Sequence, residues 1–431
     1  MANEIKQGFE TQTIHAGQVV DPTTLSRGVP IVRTSSFVFK SAEHAANLFG
    51  LKEFGNIYTR LGNPTNAVLE DRITALEGGA ASVAAASGTA AIFNTIVTIA
   101  RVGDEIVSAS NLYGGTYTLF DAIFPDLGIT TKFVDVRDPK NFEKAITPKT
   151  RLLYVESIGN PALDVADIPA IAAIAKKHHL PLVVDGTFTT PYLLKTIELG
   201  ANIVINSLTK WIGGHGTAIG GVVTDGGNFD WSDPKFTLFN QPDKNYHGLR
   251  WATDLGPDLG KIAFALRNRT VPLRNIGACL SPDNAWIFLQ GLETLHVRMP
   301  RHSENALAVA EHLAKHPKSS WIRYPGLKSD PSYPVAAKLL NKGFGGMVVF
   351  GVKGGRSAGE KLIEGLKLFS HLANVGDAKS LALHPASTSH SQLTEEQQKE
   401  SGLTPDLVRL SIGIESVQDI IGDLDQALAK V

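Results

Sequence analysis

Short apolar runs alternate with longer amphipathic stretches from about residue 68 onward. The apolar runs are rich in β-branched residues and predict strands over residues 105–110, 131–136, 151–157, 180–186, 201–207 and 218–224. Between them lie helical patterns such as 168–178, in which apolar residues recur at helical spacing. Near-continuous apolar strands separated by helices are typical of a mostly parallel sheet covered on both faces. The pattern therefore predicts an α/β domain.

The pattern changes after about residue 255. Helices are predicted over 281–295, where Ser281 is a candidate N-cap, and over 302–316. Strand-like runs at 345–352, 381–387 and 408–415, a helix near 357–369 and a last helix from about 417 follow. This order predicts a smaller α+β domain. The first sixty or so residues carry little apolar periodicity and are predicted to form an arm.

Composition excludes several function classes. The chain has 431 residues, 43% hydrophobic and 19% charged, with a formal net charge of -1. That balance gives no overall attraction to nucleic acid or to an anionic membrane. The single cysteine, Cys279, cannot form an internal disulfide, so we expect a buried thiol and a reducing compartment. With neither a signal-peptide pattern nor a long apolar run, the sequence predicts a cytoplasmic protein.

Polar side chains follow several predicted strands at the point where each strand ends. They are Asn111 and Tyr113, then Glu156 and Asn160, then Asp185, and finally Ser207, Thr209 and Lys210. Each alone is compatible with an ordinary turn or helix cap. Because ligands bind at the carboxyl ends of the strands in an open parallel sheet, the group together indicates a site at that edge.

A phosphate site is predicted where Ser87, Gly88 and Thr89 precede an apolar helical run. A helix N-terminus presents free N–H groups and the positive end of the helix dipole, and glycine lets an anion approach the backbone. From this segment alone, a plain serine N-cap is an equally good interpretation. The sequence has neither a GxxxxGK[ST] phosphate loop nor a dinucleotide fingerprint.

Lys210 is the strongest candidate for covalent chemistry. It follows an apolar strand and precedes Trp211, Ile212 and a glycine-rich turn, so we expect a partly apolar pocket that lowers the lysine pKa. An aldehyde cofactor with a phosphate needs a Schiff-base lysine, an acid for its ring nitrogen, a stacking aromatic ring and a phosphate site. Lys210, Asp185, Tyr113 and the segment 87–89 supply these four elements. Metal ligands are not predicted.

Several motifs together identify a resemblance to a family. They are YTRLGNPT (58–65), ASGTAA (86–91), LYGGTY (112–117), VESIGNP (155–161), VVDGTF (183–188), SLTKWIGGHG (207–216), HPAS (384–387) and VRLSIGIE (408–415). The sequence resembles the Cys/Met-metabolism pyridoxal-phosphate enzymes, and within them the O-acetylhomoserine sulfhydrylases. The resemblance implies the fold type I architecture of aspartate aminotransferases. It also implies an arm over 1–66, a pyridoxal-phosphate-binding domain over 67–265 and a C-terminal domain over 266–431.

The resemblance implies a role for each matching residue. Lys210 would bond to pyridoxal 5′-phosphate and move protons, Asp185 would pair with its ring nitrogen, and Tyr113 would stack on its ring. Further cofactor contacts would come from Ser87, Gly88, Thr89, Asn160, Ser207 and Thr209, and from Tyr58 and Arg60 of a neighbouring subunit. Arg409 would bind the substrate carboxylate, with Asn374, Ser389 and Tyr58 nearby. Because Tyr58 and Arg60 would come from a neighbouring subunit, the resemblance implies a homo-oligomer, and the family suggests a tetramer built as a dimer of dimers.

The implied reaction is γ-replacement in methionine biosynthesis, in which O-acetyl-L-homoserine and sulfide give L-homocysteine and acetate. Cystathionine γ-synthase and methionine γ-lyase activities are the alternatives within the family. A dinucleotide-binding α/β protein is the alternative outside it. Two positions depart from family patterns: Gly186 stands where the family usually has asparagine, and Gly115 stands where methionine γ-lyases carry cysteine, which weakens the lyase alternative.

Overall fold

Two β-sheets organise the chain in the computed structural model, which describes residues 7–388 and 403–431. The larger sheet has seven strands in the order β1-β7-β6-β5-β4-β2-β3. These strands are β1 (Ala81–Ala85), β2 (Glu105–Ala109), β3 (Thr130–Val134), β4 (Thr150–Glu156), β5 (Leu182–Asp185), β6 (Ile203–Ser207) and β7 (Gly221–Asp225). Only β7 runs against its neighbours; the other adjacent pairs are parallel. The predicted mostly parallel sheet is confirmed.

The smaller sheet has five strands in the order β10-β11-β12-β9-β8. They are β8 (Ser319–Arg323), β9 (Met347–Val352), β10 (Ser370–His371), β11 (Leu381–Leu383) and β12 (Leu407–Ser411). The strand β12 pairs antiparallel with both β9 and β11, so it lies in the middle of the sheet. This arrangement matches the predicted α+β character of the C-terminal part, whereas the predicted boundaries at residues 66 and 265 stay predictions.

Helices cover both sheets. In the first half they are α1 (Phe9–His15), α2 (Ala42–Phe49), α3 (Pro64–Glu77), α4 (Gly88–Ile99), α5 (Gly114–Thr118), α6 (Phe124–Asp126), α7 (Lys140–Ala145), α8 (Ile168–Lys177) and α9 (Thr190–Leu193). In the second half they are α10 (Thr237–Asn240), α11 (Gly256–Gly260), α12 (Ala263–Asn268), α13 (Arg274–Ile276), α14 (Pro282–Glu293), α15 (Leu295–Lys315), α16 (Tyr333–Leu339), α17 (Gly355–Gly365) and α18 (Val417–Leu428). None of the helices in the described part of the chain has both the length and the hydropathy that crossing a bilayer requires.

The core explains why the strands read as continuous apolar runs. In β4, residues Leu152 to Val155 are fully buried, as expected for a strand with helices on both faces. A second apolar cluster joins the smaller sheet to α15, α17 and α18, with Val309, Phe350 and Leu424 at its centre. Burial of these two clusters fixes the sheets as rigid supports for the loops at their ends.

Three local expectations were wrong or incomplete. The helix expected over 302–316 is α15, which begins at Leu295. The buried side of its first turns mixes apolar Leu295 and Met299 with polar Arg298 and His302, and Pro300 lies inside the helix, so apolar periodicity did not reveal this part. The first sixty residues contain α1 and α2 in addition to irregular chain. Cys279 is half-buried against the core instead of fully buried.

Candidate active site

One cavity of about 230 Å³ lies between the carboxyl ends of the large sheet and β12. Eleven of the residues to which the resemblance gave a role line it, together with Glu156: Ser87, Gly88, Thr89, Tyr113, Asn160, Asp185, Ser207, Thr209, Lys210, Asn374 and Arg409. They come from loops after β1, β2, β4, β5 and β6 and from the C-terminal part of the chain. The fold therefore brings together at one place residues that are far apart in the sequence.

Lys210 projects into this cavity from the turn that follows β6. The turn is closed by two backbone hydrogen bonds, from Lys210 N to Ser207 O at 3.2 Å and from Gly214 N to Lys210 O at 2.7 Å. Its Nζ donates to Asn374 Oδ1 at 2.6 Å. Burial, together with the nearby charge of Arg409, lowers the pKa of Lys210 to about 8. A substantial fraction of the amine is thus neutral, and nucleophilic, near neutral pH.

Two carboxyl groups form the inner wall of the cavity. Asp185 ends β5 and Glu156 ends β4, and the two residues are paired in register. Asp185 Oδ1 accepts from Thr187 N at 2.9 Å, and Glu156 Oε1 accepts from Tyr113 N at 2.6 Å. Burial raises the pKa of Asp185, and burial together with the charge of Asp185 raises the pKa of Glu156 well above its usual range. A cationic group beside Asp185 would offset that burial cost.

The start of α4 has the features of an anion site. Ser87 caps the helix by accepting from Ala90 N at 3.0 Å. A Cβ atom at Gly88 would lie 2.8 Å from Ser207 Cβ, so only glycine allows this close approach between the helix start and β6. Thr89 and Thr209 lie on the same wall, and the Thr209 hydroxyl exchanges hydrogen bonds with the backbone of Gly220. Free N–H groups and hydroxyls thus converge where a phosphate would be stabilised.

A buried guanidinium faces this anion site across the cavity. Arg409 lies on β12 with only 7% of its surface exposed, and its Nη1 donates to Asn160 Oδ1 at 3.1 Å. Burial lowers its pKa to about 10, which leaves the group charged at neutral pH. Asn160 holds one nitrogen of the guanidinium, so that the remaining N–H donors are available for a planar anion such as a carboxylate.

Tyr113 lies at the mouth of the cavity, with half of its surface exposed. It immediately precedes α5, and a Cβ atom at Gly115 would lie 2.6 Å from Tyr113 Cε1. Glycine at 115 therefore permits the observed position of the ring. At Gly186, the other departure from the family pattern, a Cβ atom would lie 3.4 Å from both Asn206 Oδ1 and Val204 Cγ1. These are ordinary contact distances, so a Cβ atom fits at this position without displacing β6.

Two predicted site residues lie elsewhere, and a third cannot be placed. Tyr58 and Arg60 are exposed and do not line this cavity, and the Arg60 guanidinium lies over the Tyr58 ring at 5.2 Å from its centroid. Their assignment to the site of a neighbouring subunit stays a prediction. Ser389 falls outside the described residues.

The structure adds residues that had no assigned role. Glu156 had been noted only as a polar residue after a strand, and its contact with Tyr113 depends on tertiary structure. Thr187 follows Asp185 closely, and its hydroxyl accepts from Ser207 N at 2.9 Å, which links the loops after β5 and β6. The apolar lining consists of Ile92, Ile158, Phe188, Ile219, Ala373 and Val375. Within the described ranges, His, Cys, Asp and Glu side chains form no cluster suited to a metal ion.

Comparison with known proteins identifies the family. The model of the Cys/Met metabolism PLP-dependent enzymes matches residues 10–429. An O-acetyl-L-homoserine sulfhydrylase of Leptospira meyeri is 54% identical over 98% of this chain and 97% of its own length. A homocysteine synthase of Schizosaccharomyces pombe is 50% identical over 97% of this chain and 98% of its own length.

A solved structure supports the same family assignment. The crystal structure of a Campylobacter jejuni protein described as an O-acetylhomoserine (thiol)-lyase superposes with a TM-score of 0.94 at 39% identity, covering 98% of this chain and all of that one. That structure contains N′-pyridoxyl-lysine-5′-monophosphate. The predicted fold and cofactor are thereby confirmed. The chain belongs to the Cys/Met metabolism PLP-dependent enzyme family, and pyridoxal 5′-phosphate is its cofactor.

Proposed function

We propose that this protein is an O-acetylhomoserine sulfhydrylase, which replaces the acetate of O-acetyl-L-homoserine with sulfide to give L-homocysteine. The observation that supports this proposal most directly is that the Lys210 amine, with its lowered pKa, and the buried Arg409 guanidinium face the same cavity. One group suits proton transfer and covalent bonding to an aldehyde, and the other suits binding of an α-carboxylate. The printed names of the relatives agree with this activity.

The residues of the cavity fit pyridoxal 5′-phosphate. The start of α4 with Gly88, Ser207 and Thr209 suits the phosphate, and Lys210 is placed to bond to the aldehyde carbon. Asp185 is a buried carboxyl, and the hydrogen bonds that stabilise its charged form come from neutral groups, chiefly Thr187. A protonated ring nitrogen beside it would supply the positive charge that a buried carboxylate needs. When bound, the cofactor supplies an electron sink for carbanions at the substrate Cα.

The residues of this chain then have distinct tasks. Arg409 binds the α-carboxylate of the substrate and fixes its Cα near Lys210. The Lys210 amine removes the Cα proton, then assists the loss of a Cβ proton as acetate leaves Cγ, and returns protons after sulfide has bonded to Cγ. Tyr113, at the mouth of the cavity, is placed to assist these proton transfers. Glu156 and Asn160 hold Tyr113 and Arg409 in position.

The charge of the cavity favours sulfide over an amino-acid thiol. Among the described residues that line it, the cationic side chains are Lys210 and Arg409, and both have assigned tasks. Cysteine, the thiol of cystathionine γ-synthase, would bring a second carboxylate that needs its own cation. Sulfide carries no such requirement.

The remaining assignments are part of the proposal. We assign residues 1–66 to an arm that reaches a neighbouring subunit, 67–265 to the cofactor-binding domain and 266–431 to the C-terminal domain. The exposed positions of Tyr58 and Arg60 support a homo-oligomer, for which we propose a dimer of dimers, without nucleic-acid or membrane partners. A single cysteine supports a reducing, cytoplasmic location.

Acetate release from O-acetylhomoserine tests the activity when it is measured with sulfide, with cysteine and without a thiol. We expect release that depends on sulfide and equals the homocysteine formed. Faster release with cysteine would indicate a cystathionine γ-synthase. Release without a thiol, with 2-oxobutyrate as product, would indicate a lyase.

A further inference from the structure

A polar stripe on α15 is buried between two parts of the active site. Arg298, His302 and Asn305 are spaced by four and three residues, so they lie on one face of the helix. All three are at most 5% exposed. None of them is among the residues that line the cavity. Burying three polar side chains costs free energy unless each of them forms hydrogen bonds in the folded protein.

Arg298 holds the backbone that directly follows Lys210. Its Nη1 donates to Trp211 O at 2.7 Å, and its Nη2 donates to Ile212 O at 3.2 Å and to Gly291 O at 2.7 Å. Burial lowers the Arg298 pKa to about 10, so the group is still charged at neutral pH. Carbonyl groups, and not a carboxylate, accept these hydrogen bonds. The planar fork of the guanidinium thus fixes the carbonyl directions of two successive residues, which a lysine ammonium cannot reproduce.

His302 and Asn305 hold the backbone that follows β12, the strand of Arg409. His302 Nδ1 lies 2.7 Å from Ile412 O, and because a carbonyl can only accept, Nδ1 carries the ring proton. Asn305 Nδ2 donates to Gly413 O at 3.0 Å and to Glu415 O at 2.9 Å. One helix face is therefore bonded at one end to the Lys210 turn and farther along to the segment after Arg409.

We propose that this stripe on α15 sets the position of Lys210 relative to Arg409, with Arg298 as the positioning residue for Lys210 and His302 for Arg409. The inference rests on the proposed function, in which Lys210 must reach the Cα proton of a substrate whose carboxylate is held by Arg409. The two groups come from different sheets, and a single helix whose buried side chains are bonded to the backbone beside both links their positions. Misplacement by about 1 Å lowers the rate of such a reaction strongly, by about 100-fold in general.

Arg298→Lys tests the first half of the proposal, and Arg267→Lys is the matched control. Arg267 is also buried, and its Nη1 donates to Thr98 O at 2.8 Å at the far end of α4. Both variants keep the positive charge but lose the planar guanidinium with its paired N–H donors, so both should lower the melting temperature of the cofactor-free protein. Only Arg298→Lys should weaken the affinity of that protein for pyridoxal 5′-phosphate, by about tenfold, which corresponds to the loss of one charge-assisted hydrogen bond. Absorbance titration measures this affinity without any substrate.

His302 tests the second half through the substrate. His302→Leu removes the hydrogen bond to Ile412 O, and we expect the KM for O-acetylhomoserine to rise about tenfold at unchanged cofactor affinity. His302→Asn, whose amide can replace the Nδ1 donor, should restore much of the loss. A purely structural role would lower the melting temperature in all variants and leave cofactor affinity and KM unchanged.

Unchanged cofactor affinity in Arg298→Lys, or an equal loss in Arg267→Lys, would overturn the assignment of Arg298. If Arg298→Lys shows no melting transition, Arg298→Gln, which keeps a planar amide donor, takes its place with the same expectation. A wild-type protein that does not act on O-acetylhomoserine would contradict the proposed function, whereas the cofactor titration would still decide the role of Arg298.

Discussion

Burial determines the charges of the ionisable groups at this site. The same desolvation that lowers the pKa of Lys210 to about 8 raises the pKa of Asp185, so each group moves toward its neutral form. Arg409 remains charged despite its burial because its ordinary pKa is so high. The site therefore has an amine that loses its proton more readily than an ordinary lysine, a carboxyl suited to a cationic partner and a guanidinium suited to an anion.

The pKa of Lys210 predicts a pH dependence for cofactor attachment. Only the neutral amine attacks an aldehyde, so the rate at which the cofactor-free protein bonds to pyridoxal 5′-phosphate should rise with pH. We expect the midpoint near the Lys210 pKa of about 8. Stopped-flow absorbance across pH 6–10 measures this rate, and free lysine serves as the control. A rate that still rises without levelling off at pH 10, as expected for the ordinary lysine pKa of 10.5, would show that the amine is not desolvated.

Arg409→Ala should raise the KM for O-acetylhomoserine. The variant loses a buried bidentate pair, which is worth about 2–5 kcal/mol when it is desolvated and corresponds to at least about 30-fold. Cofactor affinity, measured by absorbance titration, should change much less because Arg409 faces the substrate. Unchanged steady-state kinetics would place the carboxylate site elsewhere.

At the scale of the element, two helix N-caps distinguish a contribution to stability from a contribution to cofactor binding. Ser87 caps α4 at the anion site by accepting from Ala90 N at 3.0 Å, and Ser281 caps α14 by accepting from Asn284 N at 3.2 Å. The two caps are alike in geometry, but only α4 begins at the cavity. In the proposed function the N-terminus of α4 thus serves both the helix and the cofactor.

Ser87→Ala and Ser281→Ala should each lower the free energy of unfolding of the cofactor-free protein by about 1 kcal/mol. Only Ser87→Ala should also weaken cofactor binding, because it loosens the N–H groups that face the phosphate. Denaturant unfolding and absorbance titration give the two quantities. Equal cofactor affinity in both variants would argue against phosphate binding at α4.

Elements with a clear apolar pattern were predictable, and those without one were not. The strands from β2 to β7 and the helix α14 with its Ser281 cap follow directly from the sequence. The early part of α15 was missed because its buried face carries Arg298 and His302, which pair with backbone groups from other elements. The strand β8, rich in serine and only partly buried, has no strong pattern.

At the scale of the whole molecule, the site residues could be named from the sequence, but most of their partners could not. Lys210 meets Asn374, 164 positions away, and Arg409 meets Asn160, 249 positions away. The resemblance placed Asn374 on the substrate side and Asn160 beside the cofactor; both line the cavity, and each is bonded there to a charged side chain. Such contacts arise from the packing of the two sheets, which no local pattern encodes.

The proposed arm predicts complementation between two inactive chains. Arg60→Ala should damage the phosphate contact that a subunit gives to its neighbour, and Lys210→Ala should inactivate a subunit's own site. Refolding the two together in equal amounts should yield hybrids with one intact site, and about a quarter of the wild-type activity for random dimer pairing. Each variant refolded alone is the control. Mixtures no more active than the separate variants would place Tyr58 and Arg60 outside a shared site.

The most direct test of the proposed function is the amount of L-homocysteine formed per O-acetyl-L-homoserine consumed in the presence of sulfide. Mass spectrometry should show one homocysteine and one acetate for each substrate molecule with the wild-type protein. With Lys210→Ala, which lacks the amine that moves the protons, we expect neither product above the uncatalysed background. Equal turnover by Lys210→Ala, or consumption of the substrate without homocysteine, would contradict the proposed function.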